Sequence, residues 1–487
     1  MSAPSATIQL DPAICEQARL TRDARFDGLF FTAVKTTGIY CRPVCPAPTP
    51  KPGNIHYYPS AAAAAAAGYR PCLRCRPEAA PGSPVHRANS ELISAALQMI
   101  EHGALDAGSV GDLAARIGVG ERHLRRLFEQ EIGASPNDVA ATRRLLFAKQ
   151  LLLETGLSIT SVAAAAGYAS LRRFNAAFLE AFAKPPRDFR RGLGEARTGD
   201  ALTLRIPYRQ PYDFPGLLEF LSRRAIPGVE CVEADEYRRS FRIGADAGWF
   251  SVAARSDDAA LQLCVHGARP HQLGQLAARV RRMFDVDADP AAISRVLGAD
   301  RLLRPLTRRW PGQRLPCAWD AFELGVRAVL GQQISVAAAR TFASRIAERF
   351  GTAHDASLAH GLGRLFPEPE QLADAPLENI GLPRARAETL RSLARAFRDE
   401  REAFSSFTTR EDIIARLQAL PGIGAWTANY MAMRAFSHPD AFPAGDLVLR
   451  KIIGKGTPVT ERKMLERAEA WRPWRAYAVM LLWRSTN

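Results

Sequence analysis

The 487-residue chain is short of acidic charge, of long apolar runs and, over most of its length, of cysteine. Its 50 Asp and Glu face 65 Lys and Arg, a formal charge of +15 that disfavours a cationic partner and favours a polyanion. No uninterrupted apolar stretch approaches the roughly 18 residues of a membrane span, and no charged, apolar, small-residue leader opens the chain. We therefore expect a soluble cytoplasmic protein with no membrane partner. Of 8 cysteines, four lie between Cys41 and Cys75. In a reducing compartment such a cluster points to metal or reactivity rather than to disulfides. The outlying Cys15, Cys231, Cys264 and Cys317 lack partners at ligand spacing and read as buried small hydrophobes.

A chain this long exceeds one hydrophobic core. Residues 77–84 and 192–200 have the Pro, Gly and Ser content of linkers. Four segments follow: 1–82 with the cysteine cluster, 88–192 with helical periodicity, 201–316, and 317–487. In the third, alternating runs such as Leu202-Thr203-Leu204-Arg205-Ile206 predict strands, with helices over 215–224 and 272–284. The fourth reads as short helices punctuated by Gly and Pro. The alanine tract 61–67 reads as a helix of good formers with no binding role.

Cys41-Arg42-Pro43-Val44-Cys45 and Cys72-Leu73-Arg74-Cys75 supply two close thiolate pairs suited to one tetrahedral zinc ion. Four thiolates on one divalent ion leave an electron-rich sulfur that would attack an electrophilic carbon if exposed. Spacing alone leaves the structural and reactive roles open. Asp23-Ala24-Arg25-Phe26-Asp27-Gly28, Thr36-Thr37-Gly38-Ile39-Tyr40 and Gly68-Tyr69-Arg70-Pro71, around those cysteines, resemble the N-terminal domain of Ada-type alkylation-response proteins. The resemblance implies that Cys41 takes a methyl group from a methylated DNA phosphate while Cys45, Cys72 and Cys75 remain zinc ligands. Methylation would remove one negative charge and so raise DNA affinity. Pro48 is a departure, standing where the best-known relative carries arginine.

Leu113-Ala114, Ile117-Gly118-Val119, then Leu124 and Phe128, have the spacing of a DNA-reading helix pair. Val162-Ala163, Ala166-Gly167-Tyr168, Phe174 and Phe178 repeat it, with a long helix over 136–153 between. Two such units place recognition helices in successive major-groove segments. The segment resembles the AraC-type DNA-binding domain. Arg122, Arg125, Arg126, Arg172 and Arg173 fall on or near the predicted recognition helices, where phosphate contacts and solvated charges are not separable by sequence.

Leu420-Pro421-Gly422-Ile423-Gly424 turns sharply between two predicted helices, and Gly422 and Gly424 leave backbone N–H groups open to a phosphate oxygen. Asp446 follows in Ala444-Gly445-Asp446-Leu447, placed to cap a helix over 447–453. With Gln210-Pro211-Tyr212-Asp213, Asp320-Ala321-Phe322-Glu323, Gly331-Gln332 and Trp471-Arg472-Pro473-Trp474, these residues resemble the AlkA-type alkylbase DNA glycosylases of the helix-hairpin-helix superfamily. The resemblance implies that Asp446 is the catalytic carboxylate and that Phe220, Trp426, Tyr430 and Trp483 line an aromatic base pocket. Gln333 falls at the wedge position that fills the gap left by a flipped base, with Ile334 the alternative, and Leu447 replaces an aromatic. Trp426 occupies the position of the lysine nucleophile of lyase members, which implies base excision without strand cleavage. No cysteine follows Cys317, so no iron-sulfur cluster is expected, and no Pro-Cys-His-Arg motif for direct reversal of alkylated guanine is present.

The expected fold is multidomain α+β: a small zinc-bound α/β domain, an all-α double helix-turn-helix, a small α+β domain, and an all-α helix-hairpin-helix glycosylase domain. Double-stranded DNA is the expected partner, RNA polymerase a candidate one, and the chain is expected to be monomeric. The alternative is a damage-responsive activator whose glycosylase half only binds DNA.

Overall fold

In a computed structural model the chain is described over residues 10–82, 91–190, 201–255, 258–354, 361–400, 404 and 409–486. The linker at 192–200 and the end of that at 77–84 lie outside the described residues. The chain folds as two compact units, Met1–Arg209 with Ala268–Ala278, and Gln210–Gly267 with Arg279–Asn487. No helix among the described residues is long and apolar enough to cross a membrane.

In the first unit, strand Phe31–Val34 pairs antiparallel with Ile39–Cys41 and with Ile55–Tyr58, and Arg70–Pro71 adds in parallel beside Ile39–Cys41. This topology delivers the metal ligands. Cys41 ends one strand and Cys72 follows its neighbour, so two thiol pairs distant in sequence meet at one sheet end. The alanine tract is helical over Ala61–Ala66, capped by Ser60. The helix is as expected, and Ala62 and Ala63 pack against Ala134 of the helical bundle.

That bundle repeats one design. Ser109 caps Val110–Ile117, the chain turns at Gly118 with φ of 82°, and Glu121–Glu131 follows. Ser158 caps Ile159–Ala165, Gly167 turns with φ of 79°, and Leu171–Phe182 follows. Only glycine takes this left-handed turn without strain. Helix Pro136–Glu154, capped reciprocally by Ser135 and Asp138, joins the two. Leu124, Phe128, Phe174 and Phe178 are fully buried beneath the outward faces.

The second unit opens with helix Phe214–Ser222, followed by strands Glu230–Glu233, Glu236–Ile243, Asp246–Ala254 and Ala260–His266 as an antiparallel meander. Beyond Trp319 the expected run of helices holds, except for the short strand pair Thr352–Ala353 and Arg364–Leu365. The core runs through helices Ala321–Leu330, Arg384–Asp399 and Arg475–Arg484. Of the outlying cysteines, Cys15 and Cys317 are buried as expected, whereas Cys231 and Cys264 are half-buried. Both of these lie on strands of the meander, Glu230–Glu233 and Ala260–His266.

Candidate active site and metal centre

Helix Arg410–Gln418 leads into the hairpin, and Ala425–Arg434 leaves it without a side-chain cap. Its first N–H groups are therefore open to an anion. The two glycines act differently. Gly422 has φ of 82°, and a Cβ there would lie 2.0 Å from Thr389 Oγ1. A Cβ on Gly424 would meet nothing within 4 Å. The Gln332 side chain ties the hairpin down, donating to Gly422 O and Thr427 Oγ1, each at 3.0 Å. Gln333 beside it is exposed with φ of 57°, and Ile334 is half-buried.

Asp446 is 9% exposed and caps helix Leu447–Ile453 as its sequence position predicts. Its Oδ1 accepts from Leu449 N at 3.0 Å and from Trp483 Nε1 at 3.3 Å, and its Oδ2 from Trp426 Nε1 at 3.0 Å. Three N–H groups from three helices thus fix one carboxylate. Trp426 and Tyr430 stack at 5.3 Å with planes 8° apart, and Trp483 stands 6.2 Å from Tyr430. These aromatics and Asp446 form one cluster. Leu447 and Val448 beside it are exposed.

Phe220 joins through arginines that sequence reasoning missed. The Arg224 guanidinium lies 3.7 Å from the Phe220 ring centroid and that of Arg434 lies 4.7 Å from it. Arg434 also donates to Tyr430 Oη at 2.6 Å and to Pro316 O at 2.8 Å. Burial draws the Arg224 guanidinium down to about 10. Burial works against the Tyr430 phenolate, yet Arg434 and Arg224 outweigh it and bring the hydroxyl below its usual range. The signal was present: each arginine follows an aromatic by four residues, Arg434 on the helix of Tyr430 and Arg224 just past the end of helix Phe214–Ser222.

At the metal centre the sulfurs of Cys41, Cys45, Cys72 and Cys75 all lie within 4.8 Å of one another. Tetrahedral zinc at about 2.3 Å from each sulfur needs separations near ~3.8 Å, so the set fits that ion. Cys75 Sγ accepts from Arg42 N and Cys72 Sγ from Arg74 N, both at 3.4 Å. Cys45 accepts from the backbone of Ala47. The Arg42 guanidinium is paired with Asp27 and donates to Cys75 O at 3.0 Å. Cys41 and Cys45 are half-buried, Cys72 and Cys75 buried.

Arg122, Arg172 and Arg173 are exposed on the two recognition helices. Arg125 pairs with Glu121 at 2.7 Å, and Arg126 lies 3.1 Å from His123 Nδ1. The structure thus brings Trp426, Tyr430 and Trp483 to Asp446, links Phe220 to them through Arg434, brings the four cysteines to each other, and sets the arginines on the outward helices.

Four family models match in order: the metal binding domain of Ada over residues 14–78, a helix-turn-helix domain over 113–192, the AlkA N-terminal domain over 203–320, and the HhH-GPD superfamily of base excision DNA repair proteins over 326–476. A probable bifunctional transcriptional activator/DNA repair enzyme AlkA of Mycobacterium tuberculosis is 40% identical over 96% of this chain and 95% of its own. DNA-3-methyladenine glycosylase 2 of Escherichia coli is 34% identical over 57% of this chain and 95% of its own. The solved 3-methyladenine DNA-glycosylase from Archaeoglobus fulgidus has a TM-score of 0.51 at 23% identity, covering 57% of this chain and 96% of that one, and shares the fold. With all four domain matches in one chain and a full-length relative, the protein belongs to the AlkA/Ada-type family of bifunctional transcriptional activator and DNA repair proteins.

Proposed function

We propose that the chain is a monofunctional glycosylase for alkylated purines such as 3-methyladenine, joined to a methylphosphotriester sensor and an AraC-type regulator. The observation that carries the glycosylase is Asp446, held by two indole N–H groups and a backbone N–H beside stacked Trp426 and Tyr430. A purine alkylated on its ring carries positive charge, so its N-glycosidic bond is weak. When that bond breaks, the electron pair goes to the base, which leaves neutral, and the sugar becomes an oxocarbenium ion. Asp446 stabilises that charge and orients the water whose oxygen bonds to C1′, the water proton passing to the carboxylate. The aromatic wall stacks an electron-poor base in preference to a normal one. Trp426 offers no amine for a Schiff base, so the strand stays intact.

Cys41 supports the sensor reading. Cys45, Cys72 and Cys75 each accept a backbone N–H, which draws electron density from their sulfurs, and Cys72 and Cys75 are buried as well. No such donor to Cys41 appears among the described contacts. The Cys41 sulfur attacks the methyl carbon of a phosphotriester, an S–C bond forms, the C–O bond breaks, and the phosphodiester leaves with the electron pair. Zinc bound by the four cysteines would keep the sulfurs in the thiolate form. Release of free alkylated bases from methylated duplex DNA, compared with Asp446→Asn, tests the glycosylase. No release by either protein would leave a DNA-binding regulator.

A further inference from the structure

The sensor and the DNA-reading bundle meet along a built interface within the first unit. Ala62 and Ala63 of helix Ala61–Ala66 are buried with Ala134. Gly133 suits the close approach, since a Cβ there would lie a tight 3.2 Å from Ala63 Cβ and 3.3 Å from Pro59 Cγ. Ser60 Oγ donates to Ile132 O at 3.0 Å while capping its own helix. Two ion pairs complete the contact. Lys149 Nζ lies 2.7 Å from Glu78, with the side chains 1% and 2% exposed, and Arg76 lies 3.0 Å from Glu154. Arg76 and Glu78 follow the ligand Cys75 directly, whereas Lys149 and Glu154 belong to helix Pro136–Glu154, which spaces the two recognition helices. The Lys149 ammonium also stands 5.7 Å from the ring of Phe182, at the end of the second recognition helix.

A buried ion pair adds little net stability, because desolvation offsets attraction. Its best-attested use is to select one register over others. We propose that Glu78 and Lys149 lock the sensor onto the reader in a single register, and that this lock is what passes the methylation of Cys41 expected above on to the DNA affinity of the reader. This rests on the sensor reading above. On a flexible tether the sensor's DNA contact would count only through an effective concentration near millimolar, whereas a locked contact enters the affinity undiluted.

The test uses the full chain, methylphosphotriester-containing duplex as methyl donor, and a duplex selected in vitro by the methylated protein. The native chain is expected to bind that duplex more tightly once methylated. Lys149→Met is expected to bind zinc and take up methyl at the native rate yet lose at least tenfold of that gain. The charge swap Glu78→Lys with Lys149→Glu is expected to restore most of it. If Lys149→Met fails to fold, the Arg76→Gln and Glu154→Gln pair is read in its place. A full gain in the folded Lys149→Met or glutamine variant overturns the proposal, as does a folded swap variant no better than Lys149→Met. A native chain that takes up no methyl overturns the sensor reading and this proposal together, an outcome distinct from normal uptake with unchanged coupling.

Discussion

Trp426 Nε1 donates to Asp446 Oδ2 at 3.0 Å, so the ring expected to stack a flipped base also holds the carboxylate that acts on it. Trp426→Phe keeps the stacking face and removes only that N–H. Loss of a hydrogen bond to a charged group costs about 1.5–3 kcal/mol. We expect single-turnover excision of 3-methyladenine to slow by roughly 10- to 100-fold on that basis, with duplex affinity unchanged. An equal loss in binding would show that the indole serves recognition alone.

Asp446→Asn is expected to remove base release, by at least about 10²-fold, without unfolding the protein. Asparagine caps a helix about as well as aspartate, so helix Leu447–Ile453 keeps its start and the thermal midpoint moves little. Asp446→Ala is expected to lower both activity and the midpoint, and calorimetry beside the excision assay separates the two.

The hairpin glycines should fail in different ways. Gly422→Ala drives a methyl group into Thr389 at a left-handed backbone position and is expected to destabilise the fold by about 2 kcal/mol or more, read by urea unfolding. Gly424→Ala meets only open space in the protein and should leave stability unchanged. Its effect should appear as weaker binding of undamaged duplex, because the new methyl stands beside the uncapped N–H groups.

Much of this was legible along the chain. Local rules placed the cap at Asp446 and the glycines Gly118 and Gly167 between paired helices, because each depends on a few neighbouring residues. Contacts between distant segments were not legible. Nothing in the Leu420–Gly424 motif announces Thr389 beneath Gly422 or the Gln332 amide across it. The alanine tract was read correctly as a helix, but its packing on Ala134 was not legible, since helix propensity reports how a segment coils and not what it packs against. Arg224 lay four residues after Phe220 and so within reach of local spacing, but the stacking of Arg434 on that ring depends on two distant segments meeting.

Replacing ligands should divide the four cysteines. Cys72→Ser or Cys75→Ser is expected to abolish zinc binding and loosen residues 10–82, because folding of such a small domain depends on its metal. Cys41→Ala is expected to retain zinc, measured by elemental analysis, while methyl uptake from methylated DNA disappears. A methyl group found on another residue would overturn the assignment.

Acid should weaken the second unit through His438. Burial, helped by Arg410 and opposed by Glu411, draws its imidazole down to about 4 from an ordinary 6.5. The unfolded chain therefore binds the proton more readily, and stability should fall as pH drops from about 6.5 toward about 4. His438→Gln is expected to flatten that limb in urea unfolding carried out across the same window.

The helix Ala61–Ala66 meets the reader bundle through methyl groups. Alanine has no rotamers to freeze, so joining the two faces sacrifices no side-chain entropy, whereas each long side chain so confined would lose about 1.5–2 kcal/mol. A six-residue helix can therefore seat closely against the bundle, provided Ala62 and Ala63, the positions buried with Ala134, stay small. At those two positions glycine or serine would weaken the helix and anything larger would press on the bundle, so smallness there is the physical signature of a tight joint.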